Sequence, residues 1–268
     1  YTYQAARRSA GGAIAAVEKT ARTDTDTITY SCTRPSGHHA APAVADGFCY
    51  VNNAAVAAEH ALEERNADRV AILDWDIHHG NGTQECFYDR DDVLVVSIHN
   101  DHGAWDPETH PQTGGVEERG SGAGEGYTVN VPLPAGVGDP GYKRLFEELV
   151  NPVVHAYDPD VVIASAGGDA GAVDPLGRNL LSKDGFETIG RQVRGLAADC
   201  ADGSLAVVQE GGYQPSHLAY AMLGTFEGML SVETGVDDPL AWLDEDSELF
   251  VDRINKLVAA HDNYWPVG

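Results

Sequence analysis

The chain has 268 residues, 43% of them hydrophobic, enough to bury one substantial core. Its 42 acidic residues stand against 17 basic ones for a formal net charge of -25, a field that repels nucleic-acid phosphates and anionic membranes and removes direct binding to either from the expected roles. The lysines are Lys19, Lys143, Lys183 and Lys256, and so acidic and lysine-poor a surface stays dispersed in concentrated salt, which points to a salt-loving microbial source, an ordinary acidic cytosolic protein being the alternative. Cys32, Cys49, Cys86 and Cys200 form no C-x-x-C pair, so a reduced interior is expected and no zinc knuckle. There is no basic-then-apolar leader and no apolar run of about 18 residues, which makes a cytoplasmic location the expectation. The chain opens on Tyr1, already in helix-like sequence, so a segment upstream of it is expected.

In chain order, the first expected element is a helix over 4–20. A short β-branched run at 27–30 reads as a strand and leads to Arg34-Pro35-Ser36-Gly37-His38-His39. A helix over 53–65 precedes a strand at 70–73 that ends in Asp74-Trp75-Asp76-Ile77-His78-His79-Gly80, and a strand at 93–98 brings in Ser97-Ile98-His99. The Gly- and Pro-containing stretch 100–125 is too long for a plain connector, and loops of that kind shape binding sites. A strand at 127–131 and a helix over 140–157 lead to a strand at 161–164, which runs into Gly167-Gly168-Asp169. A helix over 183–198, a strand at 205–208 ending in Glu210-Gly211-Gly212-Tyr213 and a helix over 216–232 complete the series. Near-continuous apolar strands spaced by amphipathic helices describe a three-layer α/β/α domain spanning 1–268, with a mostly parallel central sheet covered on both faces. Ligands in such a sheet bind beyond the carboxyl ends of the strands, so the five polar segments are expected to meet at one pocket.

In an extended strand end, residues two apart point the same way, so Asp76 and His78 offer a carboxylate and an imidazole to one point. Asp169, flanked by glycines that allow close backbone approach, is the candidate third ligand. Such a set leaves coordination positions open for water and substrate, as hydrolytic zinc requires; an isolated D-x-H also serves as a strand-end cap or ion pair. Adjacent His38 and His39 can divide the work of base and electrostatic catalyst, with Asp74 as acceptor for His38 and Asn81 for His39, which leaves His39 the better base. A hydrogen-bonded pair of core histidines is the alternative. Tyr213, after two glycines, can donate to an oxyanion or be a half-buried core tyrosine. His79 and His99 read as structural, and His102 is a loop residue without an assigned role.

Together R-P-S-G-H-H-A, G-F-C-Y-V-N-N, D-W-D-I-H-H-G-N-G-T-Q, S-A-G-G-D-A-G-A-V-D-P-L-G and E-G-G-Y resemble, in the same order, the motif series of the histone deacetylase family. The resemblance is to the class II branch and its bacterial and archaeal relatives, acetylpolyamine amidohydrolases included, and runs from residue 1 to about 230. It implies an arginase-like fold, Zn²⁺ on Asp76, His78 and Asp169, His39 as general base and acid, His38 as electrostatic partner and Tyr213 as carbonyl-polarising donor. A structural K⁺ near Asp74, Asp76, His78 and Ser97 is implied as well. The implied reaction is hydrolysis of the amide of acetyl-lysine or a related N-acyl amine to a free amine and acetate. Substrate contacts are expected at Gly47, Phe48, Trp105, Leu176 and Gly211. Phe48 matches the first aromatic wall of the family's acyl-lysine tunnel, whereas Trp105 and Asp106 stand where a Phe pair is common. The usual Pro of the first motif is Ser36. Leu176, seven residues after the third ligand, stands where polyamine-preferring relatives can carry an acid, so acetylated protein lysine is the expected partner, acetylpolyamine or another small amide the alternative. Glu117, Glu118 and Glu125 can attract a cationic amine or form solvated surface. Nitrogen and oxygen donors also accept Fe²⁺ or Mn²⁺. Two rival readings are a two-metal ureohydrolase of the arginase type and a non-catalytic acyl-lysine-binding scaffold.

Overall fold

Strands buried on both faces read as unbroken apolar runs because alternate side chains enter two different cores. The computed structural model describes residues 1–20, 27–101, 113–241 and 250–267. Its strands are β1 (Ile28–Ser31), β2 (Val70–Asp74), β3 (Val93–Asn100), β4 (Thr128–Leu133), β5 (Val161–Ala166) and β6 (Leu205–Gln209). They form one sheet in the order β1-β6-β5-β2-β3-β4, with every neighbouring pair parallel. Ala71, Leu73, Leu94, Val96, Val162, Ala164, Leu205 and Val207 enter the larger core. The intervening Val70, Ile72, Val93, Val95, Val161, Ile163, Ala206 and Val208 enter the smaller one.

Helices α1 (Thr2–Thr20) and α2 (Asn53–Glu64) cover the smaller core and approach closely through Ala13, Ala16, Ala54, Ala57, Ala58 and Ala61. The short α3 (Asn81–Phe87) adds Phe87 to that core. On the opposite face lie α4 (Asp139–Leu145), α5 (Asn151–Tyr157), α6 (Lys183–Cys200), α7 (Pro215–Leu230) and α8 (Val251–Ala259), packed around Trp75, Tyr142, Phe146 and Phe186. No helix among the described residues is long and apolar enough to cross a membrane.

The helix expected over 140–157 is instead two helices joined by a π turn, Phe146–Val150, in which the Asn151 N–H reaches back to the Phe146 carbonyl. Pro152 accounts for it: proline has no N–H to donate, and its ring crowds the carbonyl four residues earlier, so the ladder widens. Neither α3 nor α8 is among the expected elements. The α3 sequence, NGTQECF, has no apolar periodicity and its Gly80 N-cap makes no side-chain bond. In α8 the spacing of Val251, Ile254, Leu257 and Val258 carries the helical signal.

The segment after Phe250 packs against the end of the sheet. Trp265 Nε1 donates to the Gly126 carbonyl at 2.9 Å, His261 Nε2 to that of Asn130 at 3.2 Å and Arg253 to that of Pro132 at 3.4 Å. These are the outward carbonyls beside and along β4, one of the two edge strands of the sheet. From β2 the chain proceeds to β3 and β4 in one direction, then to β5 and β6 in the other. The carboxyl ends of β2 and β5 therefore flank a topological switch point, where open α/β sheets place their ligands.

Candidate metal centre and active site

Beyond β2 the chain continues extended, Trp75 N donating to the Ser165 carbonyl at 3.2 Å, so Trp75 and Ile77 enter the core while Asp76 and His78 share the other side. His78 Nδ1 stands 3.1 Å from Asp76 Oδ1 and 3.1 Å from Asp169 Oδ2. One donor atom from each of the three residues falls within 4.8 Å of the others. Ligands each about 2.0–2.1 Å from a tetrahedral ion lie roughly 3.3 Å apart, so the spacing suits one small divalent cation. The carboxylates are held from behind: Asp76 Oδ2 accepts Gly211 N at 2.7 Å and Asp169 Oδ1 accepts Ile77 N at 2.9 Å. A Cβ at Gly211 would collide with both carboxylates, so glycine is the residue the backbone approach permits.

Charge balance supports the same conclusion. Burial and the neighbouring Asp76 charge push Asp169 up to about 7. Against its own burial, Asp76 is held well below the usual carboxylate range by His38 and His78. Burial opposes charge on His78 too, but hydrogen bonds to Asp169 and Asp76 raise it to about 10. Two desolvated carboxylates need a positive charge between them, and in the metal-free protein a proton supplies it. A nitrogen and two oxygens fit zinc, and also Fe²⁺ or Mn²⁺. Metal uptake must displace a proton that His78 keeps up to about pH 10, and below about pH 7 one from Asp169 as well, so the apparent affinity for Zn²⁺ is expected to rise at least about tenfold per pH unit from about pH 5 to about pH 9. Competition titrations with a chelator across that range measure it, and a flat profile would count against this ligand set.

The two adjacent histidines have unlike partners. His38 Nδ1 is 2.9 Å from Asp74 Oδ2, and His39 Nδ1 is 2.6 Å from Asn81 Oδ1, an acceptor that leaves His39 Nε2 unprotonated and free to take a proton. The rings stand 4.0 Å apart. Burial alone would discharge His38, but Asp76 and Asp74 outweigh it and raise its pKa. Burial and the charge of His38 lower His39 to about 3. Gly47 and Phe48 turn beneath His39 with φ of 48° and 67°, and a side chain on Gly47 would strike the His39 ring.

Tyr213 completes the ring of polar groups, its centroid 6.1 Å from His78 and 6.4 Å from Phe48. Burial and the Asp76 charge raise its hydroxyl above the usual tyrosine value, so it remains a donor. A cavity of about 450 Å³ is lined by Arg34, Ser36, Phe48, Glu210, Gly211 and Tyr213. Phe48 and Leu176 are exposed, at 67% and 41%. Trp105, Asp106 and His102 lie outside the described residues.

Other polar residues serve the scaffold. His79 and His99 stack at 4.6 Å and bind Thr113, Gln84, Ser97 and the Gly114 carbonyl, fixing the segment that follows residue 112. Glu118 belongs to the same network, accepting from Gly114 N, Gly115 N and Gln84, and Glu125 accepts from the Tyr264 hydroxyl. Glu117 is exposed. Ser97 is buried opposite Asp74 in the β2–β3 register.

Two site residues carry no role in the sequence reading. Glu210, pushed up to about 7 by burial and the Asp74 charge, accepts Gly37 N at 2.8 Å and His38 N at 3.2 Å and so holds the histidine turn. Asp174 accepts Tyr213 N at 2.7 Å. A motif letter exposed both residues, but their backbone partners are distant in sequence and leave no local pattern.

The histone deacetylase domain family matches residues 1–229. Histone deacetylase 8 of Arabidopsis thaliana is 43% identical over 240 residues, which cover 89% of this chain and 63% of that protein. The histone deacetylase-like amidohydrolase of Pseudomonas aeruginosa is 42% identical over 239 residues, covering 89% of this chain and 61% of that protein. The chain thus spans less than two thirds of the length of either relative. Among solved structures, the HDA15 HD domain superposes with a TM-score of 0.82 at 34% identity, covering 98% of this chain and 70% of that one. An acetylpolyamine aminohydrolase from Burkholderia pseudomallei gives a TM-score of 0.71 at 37% identity over 82% of this chain and 61% of that one. The sheet and helices are therefore an arginase/deacetylase-like α/β fold, and the chain belongs to the histone deacetylase family.

Proposed function

We propose that the protein is a zinc-dependent deacetylase that hydrolyses the amide of acetyl-lysine, or a related N-acyl amine, to a free amine and acetate. The observation that carries the proposal is the buried Asp76, His78 and Asp169 cluster, with donor atoms within 4.8 Å, next to a histidine pair of unequal basicity. A divalent ion on those three side chains supplies Lewis acidity toward the amide oxygen and the attacking water. His39 Nε2 accepts the water's proton, because Asn81 fixes the tautomer and cationic His38 keeps its neighbour neutral. His39 then returns that proton to the leaving nitrogen. The Tyr213 hydroxyl donates to the oxyanion as it forms, and the glycines before it let the ring lie over the pocket. Phe48 and Gly211 line the cavity that would take the acyl group, Gly47 and the exposed Leu176 are assigned to the same substrate channel, and Gly211 holds Asp76 in place.

The apolar, exposed Leu176 and Phe48 favour a lysine stem over a polyamine chain that carries further charges. Asp74 and Ser97, buried and paired across β2 and β3, are suited to a structural K⁺. One group of three metal-capable side chains is present among the described residues, which favours a single catalytic ion over the paired centre of a ureohydrolase. Four free cysteines and the net charge of -25 support a reduced, salt-rich cytoplasm.

Tyr213→Phe tests the chemistry. Loss of one oxyanion donor is expected to lower kcat by about 10²–10³ with metal content unchanged, measured with a fluorogenic acetyl-lysine peptide. Equal rates would remove Tyr213 from the chemistry. Absence of turnover on acetyl-lysine, acetylpolyamine and small amides by the zinc-loaded protein would overturn the proposal.

A further inference from the structure

The Asp169 turn after β5 and the Tyr213 turn after β6 come from neighbouring strands, yet the geometry of the site depends on how they sit against each other. They are joined at two points. Near the sheet, Gly168 N donates to the Gly211 carbonyl at 2.8 Å. Farther out, one buried carboxylate serves both turns: Asp174 Oδ1 accepts Leu176 N at 2.9 Å and Gly177 N at 3.2 Å, while Asp174 Oδ2 accepts Tyr213 N at 2.7 Å and Gln214 N at 3.2 Å. The Gly168–Gly211 bond and the Gly211–Asp76 bond both lie on the sheet side, so without the outer attachment the Tyr213 end of the turn could swing about Gly211, whereas with it the orientation is fixed. Gly177 also lies on the Asp169 carbonyl so closely that a Cβ there would collide with it. The path from Asp169 to Tyr213 therefore runs through Gly177 and Asp174 without a break.

From this arrangement we infer that Asp174 is a positioning residue, a clasp that sets Tyr213 over the Asp76, His78 and Asp169 cluster by binding both turns with the two oxygens of one carboxylate. Each oxygen accepts two N–H groups, a task an ionised carboxylate performs and an amide cannot, since a carboxamide turns an NH₂ toward one of the two pairs. Asp174→Asn keeps the volume and must release one turn, the Tyr213 one, because an Asn oxygen makes the local turn bonds to Leu176 and Gly177 as an Asp does. The first turn of α7 adds to the arrangement, with Leu218 packed on Gly168 and Gly212 and His217 on Gly171, so backbone from both turns is pressed against the same helix. That packing keeps the fold together when the clasp is loosened, so the variant is expected to remain folded.

The catalytic consequence rests on the proposed role of the Tyr213 hydroxyl, so the test has two independent arms. Hydrogen–deuterium exchange on the metal-free protein reads the clasp itself. In Asp174→Asn the amides of Tyr213 and Gln214 are expected to exchange at least about tenfold faster, with β5 and β6 unchanged. Faster exchange confined to Leu176 and Gly177 would reduce Asp174 to a cap on its own turn, and faster exchange throughout the sheet would make it a general stability residue; either overturns the inference. The second arm is a double-mutant cycle in the zinc-loaded protein. Asp174→Asn is expected to lower kcat at least about tenfold in the wild-type background and by less than about threefold when Tyr213→Phe is already present. Equal losses in both backgrounds would show that Asp174 does not act through Tyr213. If Tyr213→Phe alone leaves the rate unchanged, the role given to its hydroxyl fails, while the exchange arm still decides whether the two turns are clasped.

Discussion

Asp169→Ala is expected to strip the protein of its divalent ion and lower kcat/KM by at least about a thousandfold, the several kcal/mol that a Lewis-acidic metal contributes. The substitution leaves two donors, Asp76 and His78, and two ligands do not hold a catalytic zinc. It also deprives Ile77 N of the acceptor it has at 2.9 Å, so Asp169→Asn is the better-controlled variant, keeping the shape and that bond while removing the charge. Metal stoichiometry after dialysis, measured with turnover on the same sample, separates the two effects. A variant that retains one equivalent of zinc at wild-type affinity would sink the ligand assignment, and with it the enzyme.

The second large effect is at His39. His39→Ala is expected to lower kcat by about 10²–10⁴, the range for loss of a positioned general base, with zinc content preserved because His39 is not a ligand. The pH dependence gives a sharper test. Burial and the charge on His38 depress His39 to about 3, which keeps it competent as a base far into the acid range. Asn81→Asp replaces the neutral acceptor on Nδ1 with a carboxylate, which favours the imidazolium and raises the pKa. The sign follows: a protonated His39 is no base, so the acid limb of the kcat/KM profile should move to higher pH in Asn81→Asp. An unmoved limb would mean that the titrating group is elsewhere.

How much of this was legible beforehand depended on the range of the interactions. The strands β2, β3, β5 and β6 announced themselves as apolar runs because both sheet faces are covered, β1 and β4 as β-branched segments, and the polar segments at the strand ends signalled the pocket. Asp76 and His78 could be paired from strand periodicity, since two residues apart is one face. The pairing of His38 with Asp74 and His39 with Asn81 needed the fold to bring distant turns together, though the residue types available left few partners. The helical pattern over 140–157 hid the π turn, because side-chain periodicity does not register a backbone bond that Pro152 cannot make. Asp174 precedes Pro175, and its bond to Leu176 two residues on is of the kind Asp makes in turns. Its grip on Tyr213, 39 residues away, has no signature in local sequence. Trp105, expected as a substrate contact, lies outside the described residues.

The contacts that Arg253, His261 and Trp265 make along β4 have a consequence for how this molecule meets its own kind. A terminal strand with a bare row of carbonyls and amides is a template on which another polypeptide can add itself, the first step toward chain-on-chain sheet growth. Here that row is occupied at three carbonyls by side chains from the segment after Phe250. In concentrated salt, where charge repulsion between copies is screened within a few ångströms, steric occupation of the strand continues to work when a net charge of -25 no longer keeps neighbours apart.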